Sequence, residues 1–169
     1  MRHPEFVVVG GVSGSGKSTI GSFVAQRLGV PFIDADSLHS DANVTTMSAG
    51  IPLTDDDRAS WLVRIGEVMV QHRDKGLVVA CSALRRRYRD TIRAFVPSAY
   101  FLTLTGSRAV LAERISGRRG HFMPGALLDS QLAAFEPLES DESGADIDID
   151  AYVETIVDEA LNALRHRPE

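Results

Sequence analysis

The stretch FVVVGGVSGSGKST, residues 6–19, decides the fold. It opens with a phenylalanine and three valines and then reaches two glycines, which is typical of a short buried strand that ends abruptly. The glycines and serines that follow have little side chain to pack, and a helical pattern begins at about Lys17. Such a loop is either a flexible turn or a place where the backbone itself binds a ligand.

Residues 11–18, GVSGSGKS, match the pattern G-x-x-x-x-G-K-[ST] of a phosphate-binding loop. Glycines let backbone N–H groups surround a phosphate, and the following helix adds positive charge at its N-terminus. The match lies between a strand and a helix, which argues against a chance glycine-rich turn. The motif predicts that Lys17 reaches the β- and γ-phosphates and that Ser18 ligates Mg²⁺. The residues predicted to bind ATP are Gly11, Val12, Ser13, Gly14, Ser15, Gly16, Lys17, Ser18 and Thr19.

The bulk composition is that of a soluble globular protein of one domain, with 169 residues, 44% hydrophobic and 24% charged. A net charge of −5 argues against a nucleic-acid-binding surface, so an anion site must be built locally. The single cysteine, Cys81, excludes an intrachain disulfide and favours a reducing compartment. No apolar run approaches the roughly 20 residues of a membrane span, and the start does not resemble a signal peptide. The sequence therefore predicts a cytoplasmic protein without membrane contact.

Strand and helix patterns alternate along the whole chain. Strands are predicted at 5–10, 31–36, 76–81, 99–106 and 145–150. Helices are predicted at about 17–28, 37–49, 56–74, 83–95, 108–116, 124–135 and 152–165. Nearly apolar strands separated by helices predict an α/β fold with a parallel sheet covered on both faces. Ligands of such sheets bind at the carboxyl ends of the strands, so the residues after each strand are the candidates for a site.

Two carboxylates follow the second strand. Asp34 and Asp36 lie on the same side of an extended segment, because side chains repeat every two residues. Beside a nucleotide loop, one carboxylate can hold a magnesium ion's water shell and the other can accept the proton of an attacking hydroxyl. The alternative for Asp36 is a helix cap. His39 can hydrogen-bond a polar substrate, although a lone histidine is more often an ordinary surface residue.

Arginines follow the third and fourth strands. They are Arg85, Arg86, Arg87 and Arg89 after the third strand, and Arg114, Arg118 and Arg119 after the fourth. The planar guanidinium suits carboxylates and phosphates, and an arginine-bearing flap hinged at Gly117 and Gly120 would exclude water and stabilise transferred charge. We therefore predict a lid over about 114–136. The alternative for these arginines is an exposed basic surface.

Three further stretches resemble the gluconate kinases (gluconokinases), a family of P-loop kinases related to shikimate kinases. They are DADSLHSDANVTTMSAGIPLTDDDRASWL (34–62), CSALRRRYRDTIR (81–93) and GHFMPGALLDSQLAAFEPLE (120–139). Together with the phosphate loop they cover nearly the whole chain in the family's order. The resemblance implies a five-stranded parallel sheet and ATP-dependent phosphorylation of D-gluconate at its 6-hydroxyl with Mg²⁺. It also implies a homodimer.

The resemblance also implies roles for individual residues. The family's substrate-side motif includes His39, Asn43, Met47, Gly50 and Arg58, and its third-strand motif includes Arg85, Tyr88 and Arg89. Gly120, His121 and Phe122 match the family's flap, and Gln131 matches the helix that follows it. The substrate is assigned to Asp36, His39, Met47, Arg58, Arg85, Arg89, His121 and Gln131. Taken together with the loop motif and the flap arginines, catalysis is assigned to Lys17, Asp36 and Arg118, the metal to Ser18 and Asp34, and further ATP contacts to Arg114 and Arg118. Arg58 or Arg89 is expected to pair with the gluconate carboxylate.

The sequence departs from the family at four positions, Ala35, Ser40, Thr46 and Ser60. Thr46 replaces a lysine, and the loss of that cation is expected to lower the affinity for an anionic acceptor. A shikimate-kinase-like enzyme and a non-catalytic ATP-binding regulatory module are the alternative functions. The acidic triplet at 55–57 could suggest a metal site, but a helix N-terminus capped by Thr54 or Asp55 is the better interpretation.

Overall fold

Five parallel strands form one sheet in the protein's structure, a computed structural model that describes residues 5–117 and 125–168. The strands are β1 (Phe6–Gly10), β2 (Phe32–Asp34), β3 (Leu77–Ala80), β4 (Tyr100–Thr105) and β5 (Gly144–Asp148). Their order across the sheet is β2-β3-β1-β4-β5, and each neighbouring pair is parallel. The predicted five-stranded parallel sheet is confirmed.

Helices connect the strands, as the alternating pattern predicts. They are α1 (Lys17–Leu28), a 3₁₀ helix (Ala35–Leu38), α2 (Asp41–Ser48), α3 (Asp55–Gln71), α4 (Arg86–Phe95), α5 (Arg108–Ser116), α6 (Gly125–Ala134) and α7 (Val153–Arg165). No helix within the described residues is both long and apolar enough to cross a membrane. The lid predicted for about 114–136 includes residues 118–124, which lie outside the described residues.

The single helical stretch predicted for 37–49 is two helices, because two separate caps start them. The Asp34 side chain accepts a hydrogen bond from the Asp36 N–H and begins the 3₁₀ helix. The Ser40 hydroxyl accepts from the Asn43 N–H and begins α2. Short polar side chains compete with the helix for backbone groups in this way, so a cap next to an extended residue interrupts a helix.

The acidic triplet at 55–57 begins α3. Thr54 accepts a hydrogen bond from the Asp57 N–H, and the Asp57 carboxylate accepts one from the Thr54 N–H. This reciprocal pair is a capping box, and the negative charges lie at the positive end of the helix dipole. The interpretation of the triplet as a helix N-terminus is confirmed.

Two apolar cores cover the two faces of the sheet. Val7 and Val9 of β1 point into one core, with α1 and α7, whereas Phe6 and Val8 point into the other, with α3 and α4. This alternation explains why β1 is apolar at every position, since both of its faces are buried. β1 lies between β3 and β4, so the loop that follows it emerges at the middle of the sheet's carboxyl edge.

Candidate active site

The loop after β1 depends on glycines at three positions. Gly11, Gly14 and Gly16 have φ angles of 135°, 80° and 94°, which side-chain-bearing residues rarely adopt. Gly16 precedes α1, and among the described residues no side chain caps that helix. The first N–H groups of α1 therefore face the loop without a side-chain acceptor, which is the arrangement of an anion site at a helix N-terminus.

The tip of this loop is held by hydrogen bonds on two sides. The Val12 carbonyl accepts from the Ser15 N–H at 3.2 Å and from Lys17 Nζ at 3.1 Å. The Ser13 N–H donates to Gln131 Oε1 at 2.7 Å, and Gln131 Nε2 donates to Ser13 Oγ at 3.0 Å. The loop is thus tied both to its own lysine and to α6.

A hydroxyl and a carboxylate meet beside the loop. Ser18 Oγ donates to Asp34 Oδ2 at 2.5 Å, and Asp34 Oδ1 accepts from the Asp36 N–H at 3.0 Å. Hard oxygen ligands of this kind suit Mg²⁺, which is usually held by one or two protein groups together with phosphates and water. Within residues 5–117 and 125–168, no three His, Cys, Asp or Glu side chains are grouped so as to hold a metal by themselves.

Asp36 and His39 extend the site along the sheet edge. Asp36 is exposed, and Asp34 rather than Asp36 caps the 3₁₀ helix. The His39 ring stacks on Trp61 with centroids 4.2 Å apart, and Trp61 Nε1 donates to the Ala35 carbonyl at 2.7 Å. Burial lowers the pKa of His39, Asp36 opposes that effect, and Arg58 adds to it. His39 is therefore a neutral and well-oriented hydrogen-bonding group near neutral pH.

Arg58 lies between His39 and the start of α4. Its Nη1 is 4.0 Å from Asp55 Oδ1, and its guanidinium carbon is 5.9 Å from the centre of the Tyr88 ring. The Tyr88 hydroxyl donates to Asp55 Oδ1 at 2.6 Å, and this bond is the main cause that lowers the pKa of Asp55. Arg58 remains one-third exposed, so its guanidinium can also reach a ligand at this edge.

The chain is similar in sequence and in fold to several kinases. The family model described as Shikimate kinase matches residues 13–135. The thermosensitive gluconokinase of Escherichia coli (strain K12) is 41% identical over 164 residues, which are 95% of this chain and 87% of that protein. The crystal structure of a gluconokinase from Sinorhizobium meliloti 1021 is 46% identical, with a TM-score of 0.90 over 98% of this chain and 94% of that one.

The chain belongs to the gluconokinase family. It is therefore an enzyme, a kinase. A shikimate kinase from Bacteroides thetaiotaomicron has a TM-score of 0.69 at 16% identity, covering 95% of this chain and 98% of that one, and this likeness shows the P-loop kinase fold alone.

In this gluconokinase-family chain, the carboxyl edge of the sheet carries most of the predicted site. The loop residues 11–19, Asp34, Asp36, His39 and Arg58 all lie there. Met47 is exposed on α2, and Asn43 is buried, donating from Nδ2 to the Asp57 carbonyl at 3.0 Å. The predicted roles of Arg118 and His121, and of Arg119, Gly120 and Phe122, lie outside the described residues.

Arg89 is engaged inside the protein, and this arrangement opposes its predicted role as a substrate ligand. The side chain is 2% exposed. Its Nε and Nη2 donate to the two Glu142 carboxylate oxygens at 2.7 and 2.8 Å. Its remaining N–H groups point to backbone carbonyls, those of Ala83, Leu84, Glu136 and Pro137. All five donors of the guanidinium are thus used inside the protein.

Two other predicted ligand contacts have different partners. Gln131, predicted to contact the acceptor, bonds the N–H and the hydroxyl of Ser13 in the phosphate loop. Arg114, predicted to bind ATP, donates from Nη2 to the Ile149 carbonyl and, at 3.3 Å, to the Ala151 carbonyl. Arg114 therefore links α5 to the segment after β5, and its contact with ATP stays a prediction.

Glu142 is the residue that the sequence interpretation missed. Its carboxylate is fully buried and accepts hydrogen bonds from Arg89 and Arg93, in a polar stretch, 136–144, for which the sequence pattern predicts neither a strand nor a helix. Burial alone would raise its pKa, but hydrogen bonds from Arg89, the Glu139 N–H and Arg93 lower the pKa to about 2. The signal available in the sequence was an acidic run in a chain that also has an arginine-rich helix, because such side chains can form ion pairs.

Proposed function

We propose that this protein transfers the γ-phosphoryl group of ATP to the 6-hydroxyl of D-gluconate, giving 6-phospho-D-gluconate and ADP. One observation carries the proposal. In a chain of the gluconokinase family, the phosphate loop lies directly beside Asp34, through the Ser18–Asp34 hydrogen bond, and Asp36 follows two residues later. A phosphoryl donor at the loop and an acceptor hydroxyl at Asp36 would then share one edge of the sheet.

The donor half of the site consists of the loop and Lys17. The loop's positive-φ glycines bring backbone N–H groups toward the phosphates, and Lys17 already lies across the loop through its bond to the Val12 carbonyl. Phosphate oxygens accept stronger hydrogen bonds from an ammonium group than a neutral carbonyl does. Lys17 therefore neutralises charge that develops on the transferred group.

Ser18 and Asp34 fit a magnesium ion, because both offer oxygen atoms and their side chains already converge. When bound, Mg²⁺ neutralises charge on the β- and γ-phosphates. Asp34 is itself oriented by the Asp36 N–H, so the carboxylate is held before any ion arrives.

Asp36 acts on the acceptor. Its exposed carboxylate orients the 6-hydroxyl and accepts its proton, as the new bond forms between the hydroxyl oxygen and the γ-phosphorus. The bond from the γ-phosphorus to the bridging oxygen breaks, and ADP leaves with that electron pair. Neutral His39, stacked on Trp61, offers a second hydrogen bond to the sugar acid. Met47 and His121 stay predicted substrate contacts.

Arg58 and Arg85 are the proposed partners of the gluconate carboxylate, because Arg89 is used inside the protein. Arg58 Nη1 lies 4.0 Å from Asp55, and Arg85 Nη1 lies 3.9 Å from Glu136. Both guanidinium groups are partly exposed, and such long ion pairs are weak and exchange easily with a ligand carboxylate. A role for Arg118 at the transferred group, a homodimer and a cytoplasmic location stay predictions.

The test is ADP release from Mg-ATP with D-gluconate, shikimate, other aldonic acids or no acceptor. We expect release that depends on D-gluconate, and the Asp36→Asn variant should lose most of it while still binding ATP. Release with another acceptor alone would keep the kinase and reject gluconate as its substrate. ATP binding without acceptor-dependent release would favour the regulatory alternative.

A further inference from the structure

The contact between Gln131 and Ser13 joins two parts of the chain that are 118 residues apart. Its helix, α6, is docked by two further contacts. Leu128 is buried in the core that includes α1 and α7, and Arg108 Nε donates to Asp129 Oδ1 at 2.7 Å. Gln131 therefore reaches the phosphate loop from a fixed position.

The Gln131 contact completes the restraint of one peptide unit. The carbonyl of the Val12–Ser13 peptide accepts from the Ser15 N–H and from Lys17 Nζ, and the N–H of the same peptide donates to Gln131 Oε1. Because a peptide is planar, with its carbonyl and N–H pointing in opposite directions, these bonds together fix its rotation about the chain. Gly14 follows, and a glycine so close leaves the backbone easy to turn when the bonds are absent.

The neighbouring residue is also held from outside the loop. A Cβ on Gly14 would lie 2.3 Å from Ile115 Cγ1, so α5 packs directly against the loop at Gly14. At the tip of the loop, α6 thus contacts Ser13 and α5 contacts Gly14. The loop's shape is set by these helices as well as by its own glycines.

We propose that Gln131 is a positioning residue for phosphoryl transfer, which fixes the orientation of the Val12–Ser13 peptide and, through the Val12 carbonyl, the placement of Lys17. The inference rests on the proposed use of ATP and deepens it. When phosphates engage Lys17, its bond to Val12 weakens, and Gln131 becomes the main restraint on this peptide from outside the loop. Gln131 acts through the loop and touches neither substrate.

Three variants test the proposal. Gln131→Met keeps the length and bulk of the side chain and removes both bonds to Ser13. Gln131→Glu keeps an oxygen that accepts from the Ser13 N–H. Ser130→Ala is the matched control, because the Ser130 hydroxyl donates to the Leu127 carbonyl within the same helix. We expect Gln131→Met to lower kcat/KM for ATP by about tenfold to a hundredfold, the usual cost of slight misplacement near a reacting group.

The other readouts separate positioning from a structural or substrate role. The KM for D-gluconate and the thermal unfolding midpoint of Gln131→Met should change little, and Ser130→Ala should behave as the unmodified protein does. An unchanged kcat/KM for ATP in folded Gln131→Met would overturn the proposal. A rise confined to the KM for D-gluconate would also overturn the proposal. It would instead support the predicted role of Gln131 in substrate binding.

A measurement without nucleotide keeps this inference separate from the proposed function. Hydrogen exchange of the Ser13 amide, followed by NMR, should be faster in Gln131→Met and restored in Gln131→Glu. Equal exchange in all variants would overturn the proposal even if the kinetics changed. If the unmodified protein transferred no phosphoryl group from ATP, the proposed function would fail, and the exchange data would still decide whether Gln131 holds the loop.

Discussion

The phosphate loop and the arginine-rich start of α4 were both predicted to bind anions, and the structure separates them. The loop makes its site from backbone N–H groups, positive-φ glycines and one lysine. The arginines of α4 instead form ion pairs with acidic side chains of the protein itself. Arg86 pairs with Asp90, Glu139 and Asp141, and Arg89 pairs with Glu142. Backbone geometry at a glycine is a local property, whereas an arginine's partner is set by the tertiary fold.

The Arg89–Glu142 pair gives the largest expected effect on stability. Replacing Arg89 with Met should lower the free energy of unfolding by up to about 3–5 kcal/mol, because the buried Glu142 carboxylate loses its most buried cation and keeps only Arg93 and the Glu139 N–H as donors. The KM for D-gluconate of the remaining folded protein should not change. Urea unfolding and steady-state kinetics measure the two effects. A large rise in that KM with normal stability would place Arg89 back among the ligand-binding residues.

Acidification should weaken the same pair. The pKa of Glu142 is lowered from 4.5 to about 2 in the folded state, so its contribution to stability is complete above pH 4.5. That contribution is lost as the pH falls from 4.5 toward 2, and amounts to about 3 kcal/mol at most. Urea unfolding at a series of pH values should show this loss, and the Glu142→Gln variant should show a shallower dependence. Parallel curves for the two proteins would exclude Glu142 as the titrating group.

Lys17 provides the matching test on the loop. Lys17→Ala should lower kcat by at least about a hundredfold, or about 2.7 kcal/mol of transition-state stabilisation, with little effect on folding. The chain's other lysine, exposed Lys75, is the control, and Lys75→Ala should keep normal kinetics. Similar activity in both variants would mean that backbone N–H groups alone carry the phosphate chemistry.

Arg58 gives the smallest expected effect and tests whether an arginine outside α4 binds the acceptor. Arg58→Ala should raise the KM for D-gluconate about tenfold and leave the KM for ATP unchanged, since a partly exposed charged hydrogen bond lies at the lower end of the range of about 1.5–3 kcal/mol. Arg87→Ala is the comparison, because Arg87 is an exposed neighbour that also contacts Asp55 and Tyr88. An equal rise in both variants would indicate general attraction by positive charge instead of a specific carboxylate contact.

The sequence predicts most of the fold because the relevant signals are local. The apolar run of β1, the glycine loop and the acidic N-terminus of α3 each carry their own explanation. The sequence pattern does not predict the split between the 3₁₀ helix and α2, because the split depends on a cap from Asp34. The pattern assigns Asp34 to the strand at 31–36. Family motifs named Gln131 and Arg89 as part of the site, but only the folded chain gives their partners, Ser13 and Glu142.

The order of the strands also divides the site by local stability. The donor loop follows β1, which is central and buried at every residue, whereas Asp34 ends β2, a three-residue strand at the edge of the sheet that is only half-buried. Edge strands with little burial open in small fluctuations that leave the rest of the protein folded. Amide protons of β2 should therefore exchange with solvent well before those of β1. The segment that carries Asp34 and Asp36 would open and re-form many times for each opening of the strand that leads into the phosphate loop.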